Sequence, residues 1–83
     1  MENLRIERRG GLARAEFAGE LANEKVPLLR RELEAALDGP GCRALVLGLS
    51  GVTFLDSSGI GLLVSLASRA KDAGRTFALL GPS

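Results

Sequence analysis

The feature that most constrains the fold is an apolar run at residues 44–49, Ala-Leu-Val-Leu-Gly-Leu. Side chains of a strand alternate between the two faces of a sheet, and this run has no polar residue on either face. Such a strand is typical of the centre of a parallel sheet that is covered on both sides. The run therefore predicts an α/β domain with residues 44–49 as its central strand.

Two further strands are predicted before this run, as a hairpin. Leu4 and Ile6 alternate with charged residues, and residues 12–18 show the same alternation. Gly10 and Gly11 lie between the two segments, and glycine tolerates the positive φ of a tight turn. We expect antiparallel strands here, with the second strand broken at Gly19.

An amphipathic helix is predicted between the hairpin and the apolar run, from a cap at Asn23 to about Leu37. Apolar residues recur there at spacings of three and four, and charged residues gather on the opposite side. Pro27 falls in the first turn, where the backbone amides have no intrahelical partner. The turn at residues 38–41, Asp-Gly-Pro-Gly, should end the helix.

A second helix is predicted after Asp56, ending at Gly74, and residues 76–80 form the last predicted strand. The fold class is therefore α/β, with a mixed four-stranded sheet built from a β-hairpin and two βαβ crossovers, and with helices packed on it. Right-handed crossovers that advance in one direction place both helices on the same face. We expect the other face to need cover from a further C-terminal segment or a partner chain.

Length and composition exclude several classes of function. The 83 residues suffice for one domain, which we place at residues 1–83. A net charge of +1, no tryptophan or tyrosine and three phenylalanines argue against binding of nucleic acid. Histidine is absent and Cys42 is the single cysteine, which argues against a metal site, an intrachain disulfide and acid–base catalysis. We expect no cofactor.

The sequence also bears on location. The longest apolar stretch, at residues 60–67, is interrupted by Gly61 and Ser65 and is far too short to span a membrane. The first five residues lack the apolar segment of a signal peptide. Both observations predict a cytoplasmic protein.

The turn between the central strand and the second helix is the candidate functional site. Asp56, Ser57, Ser58 and Gly59 lie where free backbone amides and the positive end of the helix dipole favour anionic groups. Two interpretations stay open. The four residues are either an ordinary capped helix start or a site that accepts a negative charge.

A helical wheel at about 100° per residue separates two faces of the second helix. One arc is apolar and is predicted to face the sheet: Ile60, Leu62, Leu63, Leu66, Ala67, Ala70 and Ala73. The opposite arc holds Ser57, Ser58, Gly61, Ser65, Ser68 and Asp72, with Val64 and Lys71 at its edge. Exposed helix positions usually carry long charged side chains, so this smooth arc predicts a surface for another protein. The alternative is that small residues simply fall outside the core.

Residues 52–64, Val-Thr-Phe-Leu-Asp-Ser-Ser-Gly-Ile-Gly-Leu-Leu-Val, resemble the signature of the STAS family, and residues 17–21 extend the likeness. Within that family the sequence is most similar to bacterial anti-sigma factor antagonists. The resemblance implies that Ser57 is phosphorylated by an anti-sigma factor that is also a serine kinase, and that a serine phosphatase reverses the reaction. It also implies partner switching by a chain that is not an enzyme: the unphosphorylated form binds the anti-sigma factor. The partner-binding residues would be Asp56, Ser58, Gly59, Gly61, Val64, Ser65 and Ser68.

Two departures from the family pattern matter. Many members have an aspartate soon after the Gly-Glu-Leu segment, where this chain has Ala22 and Asn23. Members also usually continue past the last strand with a further helix and a short strand, which are not found after residues 76–80 here. Either the sequence stops before them, or the domain is a minimal form that leans on a partner or on a homodimer.

Two other functions stay open. The first is a STAS scaffold subunit, not phosphorylated, in a lipid-transport or signalling assembly. The second is a small enzyme, which the absence of histidine disfavours.

Overall fold

One mixed four-stranded sheet and two helices make up the fold, in a computed structural model that describes residues 3–81. In chain order the elements are β1 (Leu4–Arg9), β2 (Leu12–Leu21), α1 (Val26–Leu37), β3 (Ala44–Leu55), α2 (Ser57–Asp72) and β4 (Thr76–Leu80). The strand order is β1-β2-β3-β4; β1 and β2 are antiparallel, and the remaining neighbours are parallel. The predicted hairpin and the two crossovers are confirmed.

Both helices pack on one face of the sheet, as predicted. They contact each other as well as the strands, so they share the same side. The side chains that the two central strands turn toward them are buried: Ala13, Ala15, Phe17, Leu45, Leu47 and Leu49. Leucines supply most of this core, and each fully buried one stabilises the fold by about 1.5–3 kcal/mol. The core therefore lies between the sheet and the helix pair.

The opposite face of the sheet is open. No element within residues 3–81 covers it, so Val46 is only half-buried and Leu12 and Leu80 are exposed. This open face is the one that the two crossovers were expected to leave for a further segment or a partner chain to cover. A strand whose second face carries small apolar side chains gives the same apolar run. The sequence shows which residues lie on each face of a strand, and it does not show what covers that face.

The start of α1 differs from the prediction. Gly19, at φ 110°, does not break β2, which continues through register shifts to Leu21. Helix α1 then begins at Val26 with Lys25 as its N-cap residue, and no side chain caps it. The predicted cap at Asn23 is wrong, because the longer strand leaves Asn23 in the loop before the helix.

Arginines of α2 and of the loop that follows it hold the end of α1. Arg69 Nη2 lies 2.5 Å from Asp38 Oδ2, and this hydrogen bond, with the guanidinium charge, holds the pKa of Asp38 below its ordinary value. Arg75 Nη1 donates to the carbonyl oxygens of Leu37 and Gly39. The free carbonyls at the end of α1 thus gain hydrogen-bond partners.

Helix α2 begins and ends as predicted, and Gly74 follows it at φ 70°. Its predicted inner arc is only partly correct. Buried positions are Leu62, Leu66 and Ala70, and Leu63 is half-buried, whereas Ile60, Ala67 and Ala73 are exposed. The flank of α2 that points away from α1 has no covering element within residues 3–81, so its apolar residues remain at the surface.

Candidate functional site

The site lies at the carboxyl ends of the two central strands. Strands β2 and β3 end in register, with Leu21 paired to Leu55. Parallel strands deliver the segments that follow them to the same edge of the sheet. The loop after β2 therefore meets the start of α2 after β3, and Asn23 contacts Asp56 although 33 residues separate them.

Asp56 is the N-cap of α2, as predicted. Its backbone is extended, and its Oδ1 accepts a hydrogen bond of 2.9 Å from the Gly59 amide. Its Oδ2 accepts a second one of 3.3 Å from the Asn23 amide. A carboxylate at the positive end of a helix dipole is stabilised there, and both of its oxygens are engaged. Asp56 therefore fixes the helix start and also ties it to the β2–α1 loop.

Gly59 is buried beneath the site, at the closest approach of α2 to β2. A Cβ at this position would overlap the carbonyl oxygen of Leu21 and lie 2.7 Å from Leu55 Cδ1. Only a residue without a side chain allows the first turn of the helix to sit this low over the strands. Gly59 thus allows the first turn of α2 to pack closely on the ends of β2 and β3, and this packing sets the position of the two serines.

The two serines have different surroundings. Ser57 is exposed, and its hydroxyl makes no hydrogen bond within residues 3–81. Ser58 is half-buried, and its Oγ donates to Asn23 Oδ1. The resemblance alone had favoured Ser57 over Ser58, and the geometry now separates them on physical grounds. Of the two hydroxyls, that of Ser57 is the accessible one.

The outer face of α2 is smooth around Ser57. Gly61 and Ser68 are exposed, and Val64 has 63% of its surface accessible. A Cβ at Gly61 would meet nothing within 4 Å, so no neighbour within the chain requires a glycine there. Ser57, Gly61, Val64 and Ser68 recur at intervals of three and four residues and form one stripe. We call these four residues the α2 stripe.

Ser65 lies apart from the stripe, toward α1. Its hydroxyl donates to the Leu62 carbonyl at 2.8 Å and accepts a hydrogen bond of 2.6 Å from Arg30 Nη1. Arg30 also lies 3.7 Å from Glu34, one turn further along α1. Ser65 thus belongs to the contact between the helices as much as to the outer face.

Two exposed apolar residues near Ser57 were not predicted as site residues. Phe54 and Ile60 have 54% and 50% of their surfaces accessible. The helical wheel placed Ile60 in the core. Phe54 is the last but one residue of β3, and the sequence pattern at the end of that strand does not show which face of the sheet its side chain lies on. Ile60 precedes Val64 by one turn of α2, so these two side chains form one apolar patch. Large exposed apolar side chains close to one another are typical of protein contact surfaces.

Asn23 was predicted as the cap of α1 and was not predicted as a site residue. Asn23 comes shortly after β2, and Asp56 comes directly after β3. Because these two parallel strands are neighbours, their order in the sheet could have predicted that Asn23 and Asp56 lie close together. Beside Asn23 lies a depression of about 340 Å³ lined by Glu20, Ala22, Asn23, Glu24, Lys25 and Asp56.

Residues 3–81 contain no group of acidic or cysteine ligands that could hold a metal ion. None of the helices in that range is both long and apolar enough to cross a membrane.

Comparison with known proteins places the chain in a family. The family described as "Mlab, STAS domain" matches residues 5–83. None of the curated proteins compared with the sequence matches it. Solved structures match across nearly the whole chain.

The anti-sigma factor antagonist SpoIIAA of Bacillus, in its unphosphorylated form, superposes with a TM-score of 0.81 at 22% identity, over 96% of this chain and 74% of that one. An anti-sigma factor antagonist from Mycobacterium paratuberculosis gives 0.78 at 25% identity, over 95% and 68%. The murine anion transporter Slc26a9 gives 0.76 at 24%, over 93% of this chain and 13% of the transporter. With the family match over residues 5–83, these superpositions agree on one assignment: the chain belongs to the STAS domain family.

Proposed function

We propose that this chain is an anti-sigma factor antagonist that works as a phosphorylation-controlled partner switch. The unphosphorylated chain binds an anti-sigma factor that is also a serine kinase, and phosphorylation of Ser57 releases it. A serine phosphatase restores the binding form. The chain itself is not an enzyme in this scheme, and it acts in the cytoplasm, where sigma factors operate.

The observation that carries this proposal is the position of Ser57. Its hydroxyl is exposed at the first residue of α2, next to the engaged N-cap Asp56 and at the head of the α2 stripe. A kinase can therefore reach it without unfolding the helix. A partner that packs against the α2 stripe would cover the same hydroxyl.

The electrostatics of the site fit a switch that changes the interface and keeps the fold. A phosphate adds about −1.5 to −2 charges at pH 7. The amides of a helix N-terminus stabilise such a charge within the domain, so α2 should remain folded. A partner packed on the apolar patch of Ile60 and Val64 would instead have to desolvate the phosphate.

The similarity to SpoIIAA supports this proposal in one further respect. Structures of that protein in the unphosphorylated and the phosphorylated form superpose on this chain with TM-scores of 0.81 and 0.79. The same backbone thus resembles both forms. This is the behaviour expected of a switch that alters a surface.

The test is transfer of labelled phosphate from ATP by the anti-sigma factor kinase of the same organism. We expect label on the wild-type chain and on Ser58→Ala, and none on Ser57→Ala. Ser58→Ala is the matched control, because it removes the neighbouring hydroxyl and leaves Asp56 and Gly59 in place. Undiminished labelling of Ser57→Ala would contradict the assignment.

A second candidate function is a STAS scaffold subunit, not phosphorylated, in a lipid-transport or signalling assembly. The matching family description names Mlab, and the STAS fold also occurs within a much longer anion transporter. In that role the α2 stripe would be a permanent contact, and the open face of the sheet could hold a further subunit or a second copy of this chain. Stable co-purification with subunits that are not kinases, and no label on Ser57, would favour this function.

A further inference from the structure

The loop between β2 and α1 holds one of the two serines and leaves the other free. Asn23 uses two groups for this: its backbone amide donates to Asp56 Oδ2, and its side-chain Oδ1 accepts from Ser58 Oγ. The first contact places the loop over the helix start, and the second occupies the Ser58 hydroxyl. Ser57, one residue earlier, is exposed, and its hydroxyl makes no hydrogen bond within residues 3–81.

We propose that Asn23 is a specificity-determining residue that restricts phosphorylation to Ser57 by holding the Ser58 hydroxyl. This inference rests on the proposed function. In the transfer, the serine Oγ forms a bond to the γ-phosphorus of ATP, and the bond from that phosphorus to the β,γ-bridging oxygen breaks. ADP leaves, and the hydroxyl proton passes to a base of the kinase.

Both requirements of that step are met at Ser57 and not at Ser58. The attacking oxygen must reach the kinase site, and its proton must be free to leave toward the base. The Ser58 proton is directed at Asn23 Oδ1, on the side of the chain that faces the β2–α1 loop. Phosphorylation of Ser58 therefore requires that this hydrogen bond is broken first.

Substitution of Asn23 isolates this effect. Asn23→Ala removes the amide that accepts from Ser58, and it keeps the backbone amide that donates to Asp56. The cap between Asp56 and the Gly59 amide does not involve Asn23. The side chain of Asn23 is exposed, so the core is unaffected.

The experiment uses Ser57→Ala as background and labelled ATP with the anti-sigma factor kinase of the same organism. We expect Ser57→Ala to stay unlabelled and the double variant Ser57→Ala/Asn23→Ala to gain label on Ser58. Loss of one hydrogen bond of ordinary strength corresponds to a roughly tenfold increase in the fraction of molecules whose Ser58 hydroxyl is free. Asn23→Asp in the same background keeps an acceptor oxygen and should stay at the level of Ser57→Ala. Glu24→Ala is the matched loop control.

The outcomes separate this inference from the proposed function. Label on wild-type Ser57, with none on Ser58 in the double variant, overturns the role of Asn23 and leaves the switch intact. Equal label in the Asn23→Ala and Glu24→Ala double variants also overturns it. A wild-type chain that takes no label overturns the proposed function and this inference with it.

Discussion

Replacing Gly59 with alanine should lower the free energy of unfolding by about 1–3 kcal/mol, the range expected for an overpacked core position. The added Cβ would overlap the Leu21 carbonyl oxygen, which is part of the backbone and cannot rotate away. Helix α2 would have to lift from the ends of β2 and β3. A domain of this size has only about 5–15 kcal/mol of stability, so the loss should be evident in chemical denaturation.

The control for Gly59→Ala is the same substitution two residues later. Gly61 lies in the same helix with nothing within 4 Å of an added Cβ. Gly61→Ala should therefore raise the stability by about 0.5–1 kcal/mol, the usual preference of a helix for alanine. Equal effects of the two substitutions would show that the close approach of α2 to β2 is not as described.

Replacing Val64 with glutamate should weaken binding to the anti-sigma factor at least about tenfold, because a charge would enter the centre of an apolar contact. Val64 is the most exposed of the large apolar side chains and lies in the α2 stripe. The fold should tolerate the change within about 0.5 kcal/mol, as surface positions usually do. Calorimetric titration would measure the affinity, and denaturation would measure the stability.

Ala35→Glu is the matched control for Val64→Glu. Ala35 is exposed on α1, outside the α2 stripe, and the substitution adds the same charge to a helix surface. Its affinity for the anti-sigma factor should equal that of the wild type. Equal losses in the two variants would point to a general effect of charge, and no loss in either would remove the α2 stripe from the contact surface.

Local signals predicted the parts of the site that local chemistry determines. Asp56 has an oxygen that can reach the Gly59 amide three residues later, so the start of α2 could be placed from the sequence. Gly74 marked the other end in the same way. The sheet topology followed from the predicted hairpin and the two crossovers, because right-handed crossovers that advance in one direction place the strands side by side in chain order.

The contacts that depend on neighbouring elements could not be predicted in the same way. The role of Asn23 requires that β2 runs to Leu21 beside Leu55, and Gly19 had suggested an earlier end to the strand. Ile60 and Ala67 are apolar, and a helical wheel assigns such residues to the core without knowing how far the sheet extends. With β4 as the last strand of residues 3–81, that flank of α2 has nothing to pack against.

The choice between the two serines shows what the structure adds. Both lie on the same arc of the helical wheel, so periodicity treats them alike. The difference arises from Asn23, which is 35 residues away from Ser58 in sequence and reaches only that hydroxyl. Its accessibility as well as the family resemblance therefore favours Ser57 over Ser58 as the proposed phosphorylation site.

The most direct test of the switch is the affinity of the anti-sigma factor for the chain with and without phosphate on Ser57. We predict that the phosphorylated chain, with its circular dichroism spectrum unchanged, binds about 30- to 1000-fold more weakly, which corresponds to about 2–4 kcal/mol. Equal affinity of the two forms would contradict the account.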